Sequence, residues 1–166
     1  MLNISPEIAA LFRHAEKTPL LPPALAPVLD RATIEALIPH RDPFLLLDEV
    51  YFFDLPNGLI AARYDLERAR DVLAGHFPGH PVWPGVLQVE AIGQAACVLH
   101  ARRGHDGATN VAATHILGAR FLRPITPMGA VEIVAQVVED GLFFTAVGQC
   151  FQHQKLCCVA AISALA

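Results

Sequence analysis

A single long apolar helix followed by four strand-like segments limits the folds that this chain can adopt. Residues 85 to 101 (GVLQVEAIGQAACVLHA) follow a proline, and apolar side chains recur among them at helical spacing: Val86, Val89, Ile92, Ala96 and Leu99. Alanine and glycine occupy many of the other positions, and such small residues let other backbone approach closely. We therefore expect a central helix wrapped by a sheet, rather than a helix that lies on a surface.

Strand-forming residues dominate the chain on both sides of this helix. Four segments after it are rich in β-branched and aromatic residues and are separated by Gly or Pro: 113–125, 130–140, 142–153 and 155–165. Before it, residues 43–54 and 59–66 flank the turn sequence PNG at 56–58, which predicts a hairpin. A brief helix from Thr33 to Ile38 precedes that hairpin and ends at Pro39. This order of elements predicts an α+β fold.

The N-terminal residues differ in character from the rest. Residues 5 to 17 (SPEIAALFRHAEK) place Ser5 at an N-cap and a proline at the first helical position, which predicts a short helix. Residues 18 to 27 (TPLLPPALAP) contain four prolines, which lack a backbone donor and stiffen the chain, so this stretch is predicted to be an extended connector. We expect an N-terminal extension over residues 1–29 and one domain over residues 30–166.

Composition and charge narrow the classes of partner. A chain of 166 residues makes about one domain, and its content of 54% apolar and 17% charged residues is apolar enough to predict an oligomer. The formal net charge is −4, and Arg and Lys are scattered. Nucleic acid binding is therefore not expected, because it rests on basic patches that neutralise phosphate. A small molecule or a protein is the expected partner.

The sequence has no pattern of a targeting or membrane-spanning segment. No run of about 18 apolar residues lacks a charged or amide side chain, and the N-terminus has no basic region followed by an apolar one. We therefore expect a soluble cytoplasmic protein without a membrane span.

Metal binding is not predicted either. The four cysteines lack CxxC spacing and are expected to be buried apolar thiols: Cys97, Cys150, Cys157 and Cys158. His76 and His80 are four residues apart, as metal ligands on a helix can be. Pro78 and Pro81 prevent that helix, however, and no third ligand has suitable spacing.

The segment from Gly75 to Gln94 (GHFPGHPVWPGVLQVEAIGQ) carries the candidate chemistry. His76 is a candidate base, although a histidine near glycine often caps or packs. Glu90 lies among apolar helix residues, where desolvation favours the neutral carboxyl and suits a proton donor; an exposed helix position fits the spacing equally well. Gln94 lies one turn further on and could bond the acid or face solvent.

An oxyanion donor completes this set of groups. Gly85 follows Pro84 at the helix N-terminus, so its N–H has no partner within the helix and points outwards with the positive end of the helix dipole. A base, an acid and an oxyanion donor are the groups needed to remove a proton α to a carbonyl and expel a β-hydroxyl. The segment therefore predicts a dehydration.

Three segments resemble the β-hydroxyacyl-acyl-carrier-protein dehydratases of bacterial fatty-acid synthesis. HFPGHPVWPGVLQVEAIGQ is similar to their H-F-P-x-x-P-x-x-P-G-V-L-x-x-E-A-x-x-Q block, IPHRDPFLLLDEV to L-P-H-R-x-P-F-L-L-x-D-x-V, and ARFLRPITP to A-R-F-x-R-P-V-x-P. The resemblance covers Ala32 to Ser163. It implies the hotdog fold, in which a curved antiparallel sheet grips a long helix and two such sheets join side by side in a dimer.

The resemblance also implies a role for each residue of the segment. His76 would take the α-proton, Glu90 of the partner chain would assist the departing hydroxyl, and Gly85 would hold the thioester carbonyl. Glutamate at position 90, where related isomerising dehydratases carry aspartate, favours dehydration alone. Further substrate contacts are expected from neighbouring side chains: Phe77, Trp83 and Val86. Gln94 would support the acid, and no cofactor is implied.

The implied partners are a thioester of acyl carrier protein or coenzyme A and a second copy of the chain, with a trimer of dimers as a further assembly. Some positions depart from the family. Leu117 and Leu122 replace residues that are often aspartate and basic, respectively, and Trp83 is bulkier than usual and would narrow the acyl tunnel. A specialised acyl or polyketide-type pathway is therefore an alternative to primary fatty-acid synthesis.

Two other functions remain open for such a sequence. A hotdog thioesterase would use the same helix N-terminus to polarise a thioester but would activate water with the carboxylate. A non-catalytic acyl-carrier-binding subunit would keep the fold without the reaction. Release of free thiol, formation of an enoyl product, or neither would distinguish the three functions.

Overall fold

The computed structural model describes residues 4–23, 25–104, 111–140 and 143–165. The helices in these residues are α1 (Pro6–Ala15), α2 (Arg31–Leu37), α3 (Arg70–Gly75) and α4 (Gly85–Arg102). The strands are β1 (Leu29–Asp30), β2 (Glu49–Asp54), β3 (Leu59–Asp65), β4 (Ala112–Phe121), β5 (Ala130–Asp140), β6 (Phe143–Gln152) and β7 (Lys155–Leu165). A single 3-10 turn, Leu66–Ala69, connects β3 to α3.

All the strands described belong to one antiparallel sheet of order β1-β2-β3-β5-β6-β7-β4. Among the described strands, β4 pairs only with β7, so its other side is an open edge. Two large apolar side chains of β4 face outwards, since Ile116 is 62% exposed and Phe121 is 55% exposed. An open edge with exposed apolar residues is a surface on which another strand can pair.

Helix α4 lies against the sheet and forms the centre of the main core. It contacts strands β3 to β7. Its small residues Ala91, Ala95 and Ala96 are fully buried. The sheet and the helix pack tightly at Gly148 of β6, where a Cβ atom would collide with Ile92 and lie 2.7 Å from the Val134 carbonyl oxygen. The prediction of an α+β hotdog fold with a central helix is therefore confirmed.

The N-terminal residues cover the opposite face of the sheet. Ile8 and Ala15 of α1 pack on Val147, Val159 and Ala161 in a second apolar cluster. Because helices lie on both faces, β6 and β7 are buried on both sides over most of their length. This explains why these strands are continuously apolar in sequence rather than alternating. It also accounts for part of the apolar composition without a partner chain.

The connector after α1 is held to the sheet by a buried glutamine. The Gln149 side chain, fully buried on β6, accepts a hydrogen bond from Leu20 N at 2.7 Å. Its Nε2 donates to the carbonyl oxygens of Ala15 at 2.5 Å and Thr18 at 2.9 Å. On the edge of the sheet, Arg120 forms an ion pair with Glu16 at 2.9 Å. The described part of the extension predicted over residues 1–29 is thus folded onto the sheet, and β1 joins its end to β2.

Local signals account for most of the element boundaries. Ser5 caps α1 by accepting from Ile8 N, and Asp30 caps α2 by accepting from Thr33 N. The predicted hairpin forms, but its first strand begins at Glu49 rather than Pro43. The residues before Glu49 form a loop in which Leu46 N donates to the Gln94 side chain. Helix α3 and strand β1 were not predicted, because neither is long enough to show a periodic pattern.

The structure also bears on the predictions that the cysteines are buried and that the chain has no membrane-spanning helix. Cys150, Cys157 and Cys158 are buried, and Cys97 is half-buried. Burial raises the pKa of Cys97 and Cys158 to about 12. Among the residues described, no helix is both long enough and apolar enough to cross a bilayer.

Candidate active site

His76 lies where α3 ends, and its ring is oriented by the backbone of the following loop. Nδ1 is 2.8 Å from the carbonyl oxygen of Val82. A carbonyl only accepts hydrogen bonds, so Nδ1 carries the hydrogen and Nε2 of the neutral ring is left with a free lone pair. The Phe77 ring stacks on the imidazole with 4.1 Å between ring centroids. Among the described residues, no group bonds Nε2 of His76, so this nitrogen is available to accept a proton.

A cavity of about 400 Å³ lies beside this histidine and is bordered by the N-terminus of α4. Gly85 and Val86 line it, as does Phe121 at the end of β4. The first N–H groups of a helix have no partner within the helix, so they are available to a carbonyl oxygen in this cavity. A Cβ atom at Gly85 would lie 2.7 Å from the Phe121 ring, so only glycine fits without a shift.

Trp83 forms a wall of the same cavity. Its side chain is fully buried and stacks on Tyr64, with 5.8 Å between ring centroids. Its backbone N–H donates to Ile125 O at 2.8 Å, which holds the loop before α4 against the sheet. The predicted substrate-contacting residues Phe77 and Val86 are both largely exposed, Val86 at 73%. A large apolar side chain at that exposure on α4 is free to meet a substrate or a second chain.

Glu90 lines a different cavity, of about 130 Å³, between α4 and strands β4, β6 and β7. Gln94 Nε2 donates to Glu90 Oε1 at 2.9 Å. The same amide also donates to Phe44 O at 2.8 Å, and its oxygen accepts from Leu46 N at 2.8 Å. Gln94 is therefore fully bonded and buried beside the acid, and it does not face solvent.

The charge state of Glu90 differs from the sequence prediction. His40 Nε2 lies 3.4 Å from Glu90 Oε1. The hydrogen bond from His40, and then that from Gln94, lowers the pKa of Glu90, and these effects outweigh the desolvation that raises it. Within the single chain this direction is opposite to the expectation of a neutral carboxyl, because the bonding partners of Glu90 were not visible in the local sequence. These hydrogen bonds favour the carboxylate form of Glu90.

His40 is the site residue that sequence reasoning missed. It lies in the loop after α2, within the IPHRDPFLLLDEV block, and is 50 residues distant from Glu90 along the chain. No periodic pattern identifies such a contact. The sequence feature that could have pointed to His40 is its place in this block, because the block is one of the three segments that carry the resemblance.

Within one chain, the two candidate catalytic residues do not meet. The cavity beside His76 and the cavity beside Glu90 share no lining residue. His80 is exposed and lines neither. In the part of the chain that the structure describes, no group of three His, Cys, Asp or Glu side chains is placed to hold a metal ion.

The architecture identifies the class of protein. A long helix gripped by a curved, open antiparallel sheet is the hotdog fold. The dehydratase heterocomplex ApeI:P from Xenorhabdus doucetiae superposes with a TM-score of 0.59 at 18% identity, covering 80% of this chain and 89% of that one. A mutant thioesterase from Pseudomonas aeruginosa gives a TM-score of 0.59 at 16% identity, covering 83% of this chain and 94% of that one. At such identities the likeness establishes the fold alone.

Sequence comparison identifies the family. Residues 38–154 match the FabA-like domain. The 3-hydroxyacyl-[acyl-carrier-protein] dehydratase FabZ of Anaeromyxobacter sp. (strain K) is 39% identical over 117 residues, which are 69% of this chain and 74% of that protein. FabZ of Campylobacter concisus (strain 13826) is 31% identical over 145 residues, which are 83% of this chain and 97% of that protein. The chain belongs to the FabZ family of hotdog dehydratases.

Proposed function

We propose that this protein dehydrates a 3-hydroxyacyl thioester carried by acyl carrier protein to the trans-2-enoyl thioester, in fatty-acid or related acyl-chain biosynthesis. Membership of the FabZ family supports the reaction class. The observation that carries the proposal is the orientation of His76, whose Nδ1 is tied to Val82 O and whose Nε2 is free to take a proton. The cavity beside it also exposes a helix N-terminus, the group that a thioester carbonyl requires.

The chemistry requires one proton to leave carbon and one hydroxyl to leave as water. Backbone N–H groups at Gly85 and Val86 would polarise the thioester carbonyl and acidify the α-carbon. His76 Nε2 would take the α-proton, and the electron pair of that C–H bond would form the C=C bond as the β C–O bond breaks. The Glu90 carboxylate would accept a hydrogen bond from the β-hydroxyl and orient it. The imidazolium would return the proton to the departing oxygen, so water leaves and His76 is regenerated.

A site shared by two chains is part of the proposal. Since His76 and Glu90 line separate cavities within one chain, a second subunit would bring one beside the other. The open edge of β4 and the exposed side chains of Val86, Ile116 and Phe121 support pairing of two copies through this surface. We propose a homodimer with two composite sites, and a trimer of dimers as a further assembly.

The decisive experiment measures products from one panel of substrates. Purified protein is incubated with 3-hydroxyacyl thioesters of several chain lengths, each on acyl carrier protein and on coenzyme A. Enoyl thioester is measured by mass spectrometry, and free thiol by a thiol reagent. We expect enoyl product without thiol release, and faster turnover with acyl carrier protein. Thiol release without enoyl product would identify a thioesterase, and neither product from any substrate would identify a non-catalytic subunit.

A further inference from the structure

We propose that His40 is a positioning residue that holds the Glu90 carboxylate through Oε1, so that Oε2 is presented to the β-hydroxyl of the substrate. This inference rests on the proposed dehydration and adds a residue to its machinery. His40 Nε2 and Gln94 Nε2 both approach Oε1, at 3.4 Å and 2.9 Å. Among the residues described, no side chain bonds Oε2. One oxygen is therefore tethered and the other is free.

The hydrogen-bonding state of His40 suits this role. Its Nδ1 is buried without a partner among the described residues. A hydrogen on Nε2 lets the ring donate towards Glu90 Oε1. The 3.4 Å separation is long for an N–H···O bond, so this contact is weaker than the 2.9 Å bond from Gln94.

The loop that carries His40 is itself fixed. Arg41 Nη1 donates to the carbonyl oxygens of Ile38 at 2.8 Å and His40 at 2.7 Å. The His40 ring stacks on Phe44, with 6.4 Å between ring centroids and 23° between planes. Phe44 in turn accepts from Gln94. His40 and Gln94 are thus joined through one loop, which fixes both donors relative to Glu90.

Few other groups can set the protonation of Glu90. The titratable side chains that line its cavity are His40 and Cys97, and the rest of the lining apart from Gln94 is apolar. Burial, and secondly the negative charge of Glu90, raises the pKa of Cys97 to about 12, so this thiol is neutral. In the proposed dimer, His76 of the second subunit also faces Glu90. His40 is the largest cause of the lowered pKa of Glu90 within the chain.

Two substitutions test whether His40 acts through its hydrogen-bond donor or through the shape of its ring. His40→Phe keeps a planar ring beside Phe44 and removes the donor, whereas His40→Gln supplies an amide N–H. We expect His40→Phe to lower kcat by about 10- to 100-fold, the range for a misplaced catalytic group, with KM changed by less than about threefold. We expect His40→Gln to recover most of kcat. His80→Ala, which alters an exposed histidine outside both cavities, is the matched control.

Recovery by the glutamine variant supplies a readout that a merely structural role would leave unchanged. A pH profile of kcat would not report Glu90, because the proposed base His76 must also be unprotonated and an imidazole ordinarily titrates above a carboxylate. Unchanged kcat in His40→Phe would overturn the proposal, as would equal losses of kcat in His40→Phe and His40→Gln.

A second measurement keeps this inference distinct from the dehydration itself. Carboxyl NMR of protein labelled with ¹³C-glutamate, with Glu90→Gln for assignment, follows the titration of Glu90 without substrate. We expect a higher Glu90 pKa in His40→Phe than in wild type and in His80→Ala. An unchanged Glu90 titration would overturn the positioning role even if wild type forms enoyl product. Absence of enoyl product with wild type would refute the proposed function, whatever the titration shows.

Discussion

His76 and Glu90 belong to the same chain but line two cavities that share no residue. His76 lies beside the N-terminus of α4, and Glu90 lies on that helix next to His40 and Gln94. A single subunit therefore presents the two proposed catalytic residues to different spaces. If they act together, as we propose, a second subunit must bring them into one site, and catalysis then depends on assembly.

Removing either half should abolish most of the activity. His76→Ala removes the base and Glu90→Gln removes the carboxylate, and we expect each to lower kcat by about 100-fold or more, the usual worth of a positioned acid-base group. The measurement is enoyl formation at saturating substrate. His80→Ala should keep nearly wild-type kcat. If His80 proved as essential as His76, a metal site or a different base would have to replace this assignment.

Mixing the two inactive chains should restore part of the activity. Heterodimers of His76→Ala and Glu90→Gln chains would contain one site with both changes and one with neither. With random pairing about half of the dimers are mixed, so about a quarter of wild-type activity is expected under two-fold symmetry. Differently tagged chains, co-expressed and purified through both tags, allow the mixed dimers to be measured alone. Inactive mixed dimers would refute the shared site.

A methyl group at Gly85 should weaken thioester binding without unfolding the protein. In Gly85→Ala the Cβ atom would lie 2.7 Å from the Phe121 ring, so this ring or the helix N-terminus must shift. Because the donors are displaced rather than removed, we expect kcat/KM to fall by about tenfold, below the usual cost of losing an oxyanion donor. Gly75→Ala, where nothing lies within 4 Å of the new atom, is the control. Equal effects of the two changes would exclude the Phe121 contact as the cause.

The size of the Trp83 side chain should limit the length of the acyl chain that the cavity beside His76 accepts. Trp83→Phe shortens a buried wall of the cavity beside His76, and we expect the ratio of kcat/KM for long over short acyl chains to rise. A loss of about 1 to 3 kcal/mol in unfolding free energy should accompany it, as for other shrunken core residues. Tyr64→Phe alters the stacked neighbour but keeps its volume, so its chain-length profile should match wild type. An unchanged profile in Trp83→Phe would exclude Trp83 as the limit.

Loss of the Gln149 amide should loosen the N-terminal residues and spare the reaction. Gln149→Leu leaves Leu20 N and two carbonyl oxygens without their buried partner, and we expect a loss of about 1 to 3 kcal/mol in urea unfolding. Amides of α1 should exchange faster with deuterium, while kcat stays within about twofold. Thr145→Val on the same strand is the control. Normal exchange of α1 in Gln149→Leu would show that apolar packing alone holds it.

Elements with a clear period or a turn signal could be predicted from the sequence. The spacing of Val86 to Leu99 predicted α4, and the PNG turn predicted the hairpin of β2 and β3. The start of β2 could not be predicted, because residues 43 to 48 read as strand but bond through Leu46 to Gln94 on α4. The docking of the proline connector on the sheet could not be predicted either, because it depends on Gln149 in β6. Both features depend on contacts between segments that are distant in the sequence.

The candidate site was likewise predictable only in part. The block that contains His76 and Glu90 identified the residues, since their types and order are local information. The charge on Glu90 was predicted in the wrong direction, because its apolar helical neighbours suggested desolvation alone. Hydrogen bonds from His40 and Gln94 outweigh that desolvation, and His40 comes from another part of the chain.

Gln149 also has a consequence for how uniquely the chain folds. The apolar contacts of α1 with Val147, Val159 and Ala161 are non-directional and tolerate small shifts of the helix along the sheet. The three backbone bonds of the buried Gln149 amide are directional, and a shifted helix would stretch or break them. A polar residue in the core thus selects one docked arrangement of the N-terminal residues against near-equivalent alternatives.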